Sequence, residues 1–207
     1  MNRTFTICFI LFAITGYSSN NIAFANFQGG VDAFNRGDYA RAYAEWLPLA
    51  EAGDPDASRN IGRLFHKGLG VQLDLTQART WYSRSAAKCN ATAQNNLGLM
   101  VLNGEGGVRD PVLAFRLFER AAKQGLHADA DAMGNLAGMY LSGAGTQQNV
   151  IEAYKWYHLY SQYTTDRYNR EKLVAFLPRL EQEITSTQRA EALRRADAFK
   201  PTPCTPD

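Results

Sequence analysis

Residues 91–126 decide the fold: ATAQNNLGLMVLNGEGGVRDPVLAFRLFERAAKQGL. They repeat residues 55–90, PDASRNIGRLFHKGLGVQLDLTQARTWYSRSAAKCN. Residues of the first copy recur 36 positions later, so that Gly62, Gly68, Gly70, Asp74 and Ala78 reappear as Gly98, Gly104, Gly106, Asp110 and Ala114. A third copy begins at residue 130, with the shift lengthened to 39 by three residues inserted near 126–130. A period of this size is typical of a stacked array of supersecondary units.

Each copy predicts an antiparallel pair of helices. Apolar and small residues from Ala91 to Leu102 have helical spacing, and the glycine-rich turn at 104–107 ends that helix. Asp110 and Pro111 then supply the cap and first-turn proline of a second helix. One such pair cannot bury both of its faces, so neighbouring pairs must stack. We expect the aromatic pairs Trp81-Tyr82 and Trp156-Tyr157 to fill the space between units.

These motifs closely resemble the Sel1-like repeat family, which is related to tetratricopeptide repeats. The residues that carry the resemblance are Ala57, Ile61-Gly62, Phe65, Gly68-Leu69-Gly70-Val71, Asp74, Ala78, Trp81-Tyr82, Ala86 and Cys89. The resemblance covers 27–163 and implies an all-α, right-handed α-solenoid of antiparallel helix pairs. Its predicted parts are an opening tetratricopeptide-like pair at 27–54 and three repeats at 55–90, 91–126 and 130–163.

The two ends of the chain differ from the repeats. Residues 1–25 combine basic Arg3, an apolar run of about ten residues and Ala23-Phe24-Ala25, which is the pattern of a secretory signal peptide. That run is shorter than the roughly 20 residues of a transmembrane helix, and no later run approaches that length. We therefore expect a periplasmic or secreted protein without a membrane span after cleavage. Residues 167–200 predict a capping pair of helices, with Ser186 or Thr187 capping the last helix, and 201–207 a flexible tail.

Composition and motifs argue against several functions. The 22 Lys and Arg against 20 Asp and Glu leave a formal charge of +2, too small a basic field for nucleic-acid binding. His66, His127 and His158 lack further ligands at metal-binding spacing, and no cofactor motif is present. Ser85 and Lys88 form the Ser-x-x-Lys motif of β-lactamases, but its companion motifs are missing. We predict no metal, no cofactor and no catalytic residue.

Two cysteines follow the predicted leader, Cys89 and Cys204. In an oxidising compartment they could form a disulfide that ties the tail to the first full repeat, or they could remain free thiols. Both interpretations stay open at this point.

The function predicted for the array is protein binding. The first helices of successive repeats should line a concave surface, whose outward positions are Arg59, Arg63, His66, Asn95, Leu99, Leu102, Gly138 and Leu141. This strip passes from basic to apolar. The family resemblance implies an exported, non-enzymatic adaptor or regulator that binds another protein in the cell envelope. The alternatives are a periplasmic immunity protein that neutralises a toxic enzyme, and a weak cell-wall or β-lactam-processing enzyme.

Overall fold

The computed structural model describes residues 26–125 and 129–206, and within them the chain is helical with no strand. The helices are α1 (Phe27–Asn35), α2 (Tyr39–Glu51), α3 (Pro55–Lys67), α4 (Leu75–Ala87), α5 (Ala91–Asn103), α6 (Pro111–Lys123), α7 (Ala130–Ser142), α8 (Val150–Tyr163), α9 (Arg167–Gln182) and α10 (Ser186–Asp197). From α1 to α8 each helix packs on the next, which confirms the stacked pairs. The predicted leader and His127 lie outside the described residues. None of the described helices has the length and hydropathy to cross a membrane.

The repeat helices begin and end where their capping residues stand. The side chain of the residue before each of α3 to α8 accepts a hydrogen bond from a first-turn amide; these caps are Asp54, Asp74, Asn90, Asp110, Asp129 and Asn149. Such a cap contributes about 1 kcal/mol to helix stability. The first helix of each repeat ends at a left-handed glycine, with φ of 64° at Gly68, 77° at Gly104 and 72° at Gly143.

The second glycine of each Gly-x-Gly turn lets neighbouring units approach closely. A Cβ atom on Gly70 would lie 2.6 Å from backbone atoms at the start of α2. One on Gly106 would lie 2.2 Å from the carbonyl oxygen of Leu75, at the start of α4. One on Gly145 would lie 2.1 Å from the carbonyl oxygen of Pro111, at the start of α6. Three successive interfaces share this contact, so only glycine fits at this point of the period.

Trp81 and Tyr82 belong to different core clusters, and each of them packs with residues of a neighbouring unit. Tyr82 lies over Gly62 of its own repeat, where an added Cβ would be 2.9 Å from the ring. Trp81 packs instead into the core of the preceding unit. Trp156 likewise packs outward, against Phe199 beyond α10, with ring centroids 5.3 Å apart. Tyr82 shares its core cluster with Ala93 and Leu97 of the next repeat, so the pair joins units in two directions.

The C-terminal helices cap the array, but not as a pair packed mainly on each other. Both pack on α8, and α10 makes the more extensive contact, in the place where the first helix of another repeat would lie. The N-cap of α10 is Thr185 and not Ser186 or Thr187 as predicted. Thr185 forms a capping box with Gln188, which satisfies two backbone amides at this helix end. Arg195 of α10 donates a hydrogen bond to Glu152 of α8 at 2.7 Å. This face of α10 therefore contacts the last repeat as well as solvent.

The tail is attached to the repeats, which differs from the flexible segment that we predicted. Cys204 forms a disulfide with Cys89, with the Cα atoms 5.7 Å apart. The amide of Thr202 donates to the carbonyl oxygen of Lys123 at 2.7 Å. Proline content keeps the tail out of a helix, but these bonds fix its path along the ends of α4 and α6.

Cys89 occupies the position that glycine holds in the other units. Its φ is 64°, against 92° at Gly53 and 74° at Gly125. A residue with a Cβ in this region costs roughly 1–2 kcal/mol relative to the right-handed conformation. The first repeat therefore accepts a less favourable backbone residue at the point where the disulfide forms.

Candidate inner-face binding cleft

The first helices of the repeats form one face of the molecule, which we call the inner face and define by α3, α5 and α7. Within the described chain α5 also contacts α7, and no two second helices approach each other as closely. The array therefore curves toward the first helices, as expected for the concave side of a solenoid. The eight residues predicted to line that side all belong to these three helices.

A cleft of about 550 Å³ opens on the inner face between α5, α7, α8 and α9. Amides, two carboxylates and two tyrosines dominate its lining, which consists of Thr92, Asn95, Asn96, Leu99, Asp129, Asp131, Gly134, Asn135, Tyr157, Tyr160 and Asn169. Of the predicted positions, Leu99 and Asn95 line the cleft. The remaining six lie outside it.

Asn95 forms the floor of the cleft and does not point outward as we expected. It is 4% exposed, and its Oδ1 accepts a hydrogen bond from Nδ2 of Asn135 at 2.8 Å. This bond crosses from α5 to α7 and joins two repeats. Asn96, the residue in register with Asn135, opposes the rise of the Tyr82 pKa and so lies near that buried ring. The bond between Asn95 and Asn135 therefore holds two repeats together, while neighbouring residues shape the cleft.

Two carboxylates give the cleft a negative end. The Tyr160 hydroxyl donates to Asp131 at 2.9 Å, and Nδ2 of Asn169 donates to the same oxygen at 3.4 Å. Asp129 caps α7 by accepting from the amide of Asp131 at 3.0 Å. Burial, and then the charge of Asp131, raise the pKa of the Asp129 carboxyl. Neither carboxylate has an ion-pair partner among the residues of 26–125 and 129–206.

An apolar pocket of about 230 Å³ continues from the cleft along α8 and α9. Tyr157 and Phe176 form its wall, with ring centroids 5.0 Å apart and ring planes at 67°. Leu173 and the stem of Lys172 complete the lining with Tyr160. Sequence reasoning missed the contribution of α9, because that helix lies outside the repeat register. The cluster of tyrosines in α8 was the only signal for it.

The opposite end of the inner face is basic. Arg63 is exposed and lies over the Phe34 ring, 4.5 Å from its centroid. Arg59 lies 3.7 Å from Asp56. Burial raises the pKa of Tyr82 to about 12, against the opposing charges of Arg63 and Arg59, so both guanidinium groups lie near this tyrosine. The inner face thus has a basic end at α3 and an acidic end at Asp129 and Asp131, two residues outside the eight predicted positions.

The other predicted positions serve packing and turns. Nε2 of His66 lies 3.1 Å from a carboxylate oxygen of Glu105 in the next repeat. Leu102 and Leu141 are half-buried against the hydrophobic core. An added Cβ at Gly138 would lie 3.5 Å from the Tyr157 hydroxyl, so this glycine borders the tyrosine wall. These four residues frame the inner face without lining the cleft.

The alternative chemical sites have structural explanations. Ser85 is fully buried, and its hydroxyl donates to the carbonyl oxygen of Pro55 at 2.7 Å. That bond joins α4 to the start of α3 and removes Ser85 from any substrate. Among the described residues no three His, Cys, Asp or Glu side chains are grouped to hold a metal ion.

A second groove of about 530 Å³ lies on the other side of the first repeat. Its lining is mixed: the apolar and aromatic residues are Tyr43, Leu47, Phe65, Leu73 and Trp81, and the polar ones are Glu51, Gln72, Asp74 and Gln77. Leu73 is 57% exposed at its edge. Sequence analysis did not assign these residues to a binding surface, because their aromatic and apolar types match the repeat core.

Known proteins resemble this chain over the repeats. The Sel1 repeat profile matches residues 55–88, 91–126 and 130–159. The ERAD-associated E3 ubiquitin-protein ligase component HRD3A of Arabidopsis thaliana is 31% identical over 105 residues, which are 50% of this chain and 15% of that protein. Protein sel-1 homolog 2 of Rattus norvegicus is 31% identical over 138 residues, 65% of this chain and 20% of that protein. The chain therefore spans at most a fifth of either relative.

The fold has a counterpart among solved structures. The crystal structure of a Sel1 repeat protein from Oxalobacter formigenes superposes with a TM-score of 0.64 at 25% identity, covering 84% of this chain and 75% of that one. The predicted solenoid of helix pairs is thereby confirmed. The repeat glycines, the capped helix pairs and the three matched repeats of this chain all support one assignment. The chain belongs to the Sel1 repeat family.

Proposed function

We propose that this protein is an exported, non-enzymatic adaptor that binds another protein through its inner face. Sel1 repeat proteins are protein-interaction adaptors, and a relative of this chain is a component of a ubiquitin ligase by its name. The observation that carries the proposal is the cleft on the inner face, which combines an aromatic wall with two carboxylates that have no ion-pair partner among the described residues. The leader-like sequence at residues 1–25 supports export to the cell envelope.

The inner face favours an extended segment of the partner over a rounded surface. The cleft is narrow enough to be lined by four helices at once, and it continues into the apolar pocket at Tyr157 and Phe176. A segment lying along the face would place a Lys or Arg beside Asp129 and Asp131, and an apolar side chain in the pocket. Its acidic residues would then face Arg63 at the other end. Charge complementarity of this kind sets orientation and association rate more than affinity.

A charge-reversal variant tests the basic end of this surface. We expect Arg63→Glu to weaken binding to the identified partner on the order of tenfold, which corresponds to about 1.4 kcal/mol. The control is Arg116→Glu, an exposed arginine of α6 away from the inner face, which should change affinity less than twofold. Unchanged affinity after the combined substitution of Arg59, Arg63 and Leu99 would contradict the inner-face assignment.

The partner itself separates the adaptor from the two alternatives. Purification of partners from an envelope extract should yield several proteins that bind the wild-type chain. These proteins should not bind the variant in which Arg59, Arg63 and Leu99 are substituted together. One partner bound one-to-one, whose toxic enzyme activity the chain abolishes, would instead identify an immunity protein. Hydrolysis of a β-lactam or a cell-wall substrate by the purified chain would identify an enzyme. The buried position of Ser85 argues against this outcome.

A further inference from the structure

The Cys89–Cys204 disulfide stands next to a positive charge that also binds the tail. Nε of Arg120 lies 3.1 Å from Sγ of Cys204, and Nη2 lies 3.7 Å from Sγ of Cys89. The same guanidinium donates to the carbonyl oxygen of Thr205 at 2.6 Å. A guanidinium at this distance stabilises a thiolate and lowers the pKa of the corresponding thiol. Whichever sulfur leaves when the bond opens therefore has a compensating charge beside it.

Few other contacts hold the tail in place. Residues 201–203, 205 and 206 are exposed, and Cys204 is half-buried. Apart from the disulfide and Arg120, the attachment includes the bond from the Thr202 amide to Lys123 and the contact of Pro201 with Gly125. The disulfide is thus the covalent part of an otherwise shallow attachment that spans 115 residues of sequence.

We propose that this disulfide is a site of thiol–disulfide exchange, through which a dithiol reductant releases the tail from the repeats. A thiolate of the dithiol attacks Sγ of Cys89, the S–S bond breaks, and its electron pair passes to Sγ of Cys204 beside Arg120. The second thiolate of the dithiol then attacks the mixed disulfide and releases Cys89 as a thiolate. The protein gains two electrons, and the dithiol is oxidised to its own disulfide. Leaving thiolates of lower pKa make this exchange faster.

Dithiothreitol is the probe for the exchange step, on the full chain carrying Cys8→Ser so that only two cysteines react. We expect Arg120→Gln to slow reduction by on the order of threefold, because the leaving thiolate loses its charge partner. Arg116→Gln, one helical turn away on α6 and exposed, is the matched control and should leave the rate unchanged. Equal rates for wild type and Arg120→Gln would overturn the proposed role of Arg120.

A thiol titration separates this charge effect from a looser tail. In a variant of the same Cys8→Ser chain that also carries Cys204→Ser, Cys89 is the remaining thiol and Arg120 still lies beside it. Alkylation rates against pH should give Cys89 a pKa below the usual value of about 8.5, and addition of Arg120→Gln should raise it. The same pKa in both backgrounds would overturn the activation.

Hydrogen exchange tests the release of the tail. The Thr202 amide should be protected in the oxidised protein by its bond to Lys123, and should lose that protection on reduction. Protection that persists in the reduced protein would show that the tail stays docked without the disulfide, and would overturn the proposal.

Discussion

The repeats from α3 to α8 and the C-terminal segment from α9 to the tail join neighbouring helices by different means. In the repeats, glycines such as Gly106 allow backbones to touch, and buried alanines and aromatic rings fill the interior. In the C-terminal segment, ion pairs such as Arg195–Glu152 and the Cys89–Cys204 bond connect elements that the repeat rule does not place. Packing by small residues repeats along the chain because one interface serves as the template for the next. The end of the array has no such template and depends on individual polar and covalent contacts.

The largest effect should follow from a side chain at the close approach between repeats. We expect Gly106→Val to lower the free energy of unfolding by at least about 3 kcal/mol, because its Cβ would clash with Leu75 at a φ of 66°. Gly53→Ala is the control, since its φ is 92° with no atom within 4 Å of the added Cβ. It should cost only about 1 kcal/mol, the conformational part alone. Urea unfolding measures both, and equal losses would show that the close contact contributes nothing.

The disulfide should give the next largest effect. Cys204→Ser should lower the free energy of unfolding by about 2–4 kcal/mol under oxidising conditions, because the unfolded chain loses a long closed loop. Adding Cys89→Gly to that variant should recover about 1 kcal/mol, since glycine accepts the φ of 64° without strain. Thermal unfolding of the single and double variants checks both numbers. A double variant less stable than Cys204→Ser would contradict the strain assigned to Cys89.

Removing the buried charge of the cleft should stabilise the protein. The pKa of the Asp129 carboxyl is raised in the folded state, so protonation of this group stabilises the fold. This stabilisation is fully present below the unfolded pKa of about 3.9 and is lost as the pH rises through the folded pKa. Asp129→Asn keeps a capping oxygen for the Asp131 amide and should add on the order of 1 kcal/mol at pH 7.

The pH dependence distinguishes this charge effect from a change in capping. The gain should disappear near pH 3, where Asp129 is protonated in wild type too. Asp54→Asn makes the same exchange at the cap of α3 and should change stability by less than about 0.5 kcal/mol. An equal gain for both variants, or a gain independent of pH, would count against a buried charge at Asp129.

The smallest effect belongs to the ion pair between the C-terminal cap and the repeats. Burial opposes ionisation of Glu152, but the hydrogen bond from Arg195 and the charge of Lys155 outweigh it and lower the pKa of this carboxyl. Arg195→Gln should lower the free energy of unfolding by less than Gly106→Val or Cys204→Ser does, because Arg195 is partly exposed and its charge is screened by solvent.

The stabilising pair should respond to pH and salt. The pKa of the Glu152 carboxyl is lowered in the folded state, so its ionised form stabilises the fold. This stabilisation is present above the unfolded pKa of about 4.3 and is lost as the pH falls through the folded pKa. The effect of Arg195→Gln should therefore shrink in acid and in 1 M NaCl. Arg194→Gln is the control and should cost less, because Arg194 pairs with Glu191 of its own helix. An equal cost for both variants would remove the special role of the contact to α8.

The sequence predicts the repeats well because each structural need recurs at a fixed spacing. Asp110 and Pro111 mark the start of α6, and Gly104 marks the end of α5, since capping is a local interaction. The stacked architecture follows from the period itself. The different directions in which Trp81 and Tyr82 pack could not be predicted. Side chains of adjacent helical residues project about 100° apart, and only packing shows which of them faces the preceding unit.

The cleft was predicted only in part for a related reason. Leu99 lies where the repeat register places it, but Asn95 is turned inward by its bond to Asn135. Asp129 has counterparts in the caps Asp54 and Asn90, whereas Asn169 belongs to α9 and has none in the repeats, so only packing shows that the two lie in one cleft. Non-local contacts of this kind leave no periodic signal in one sequence.

Site-specific photo-crosslinking tests the central claim that the inner face binds the partner. A photoreactive residue at Leu99, in the cleft, is compared with one at Leu113, which is 38% exposed on α6. With a partner identified by co-purification and added near its dissociation constant, crosslinks should form from Leu99, decrease severalfold when Arg63→Glu is added, and be absent from Leu113. Crosslinks from Leu113 alone, or from both positions equally, would contradict binding through the inner face.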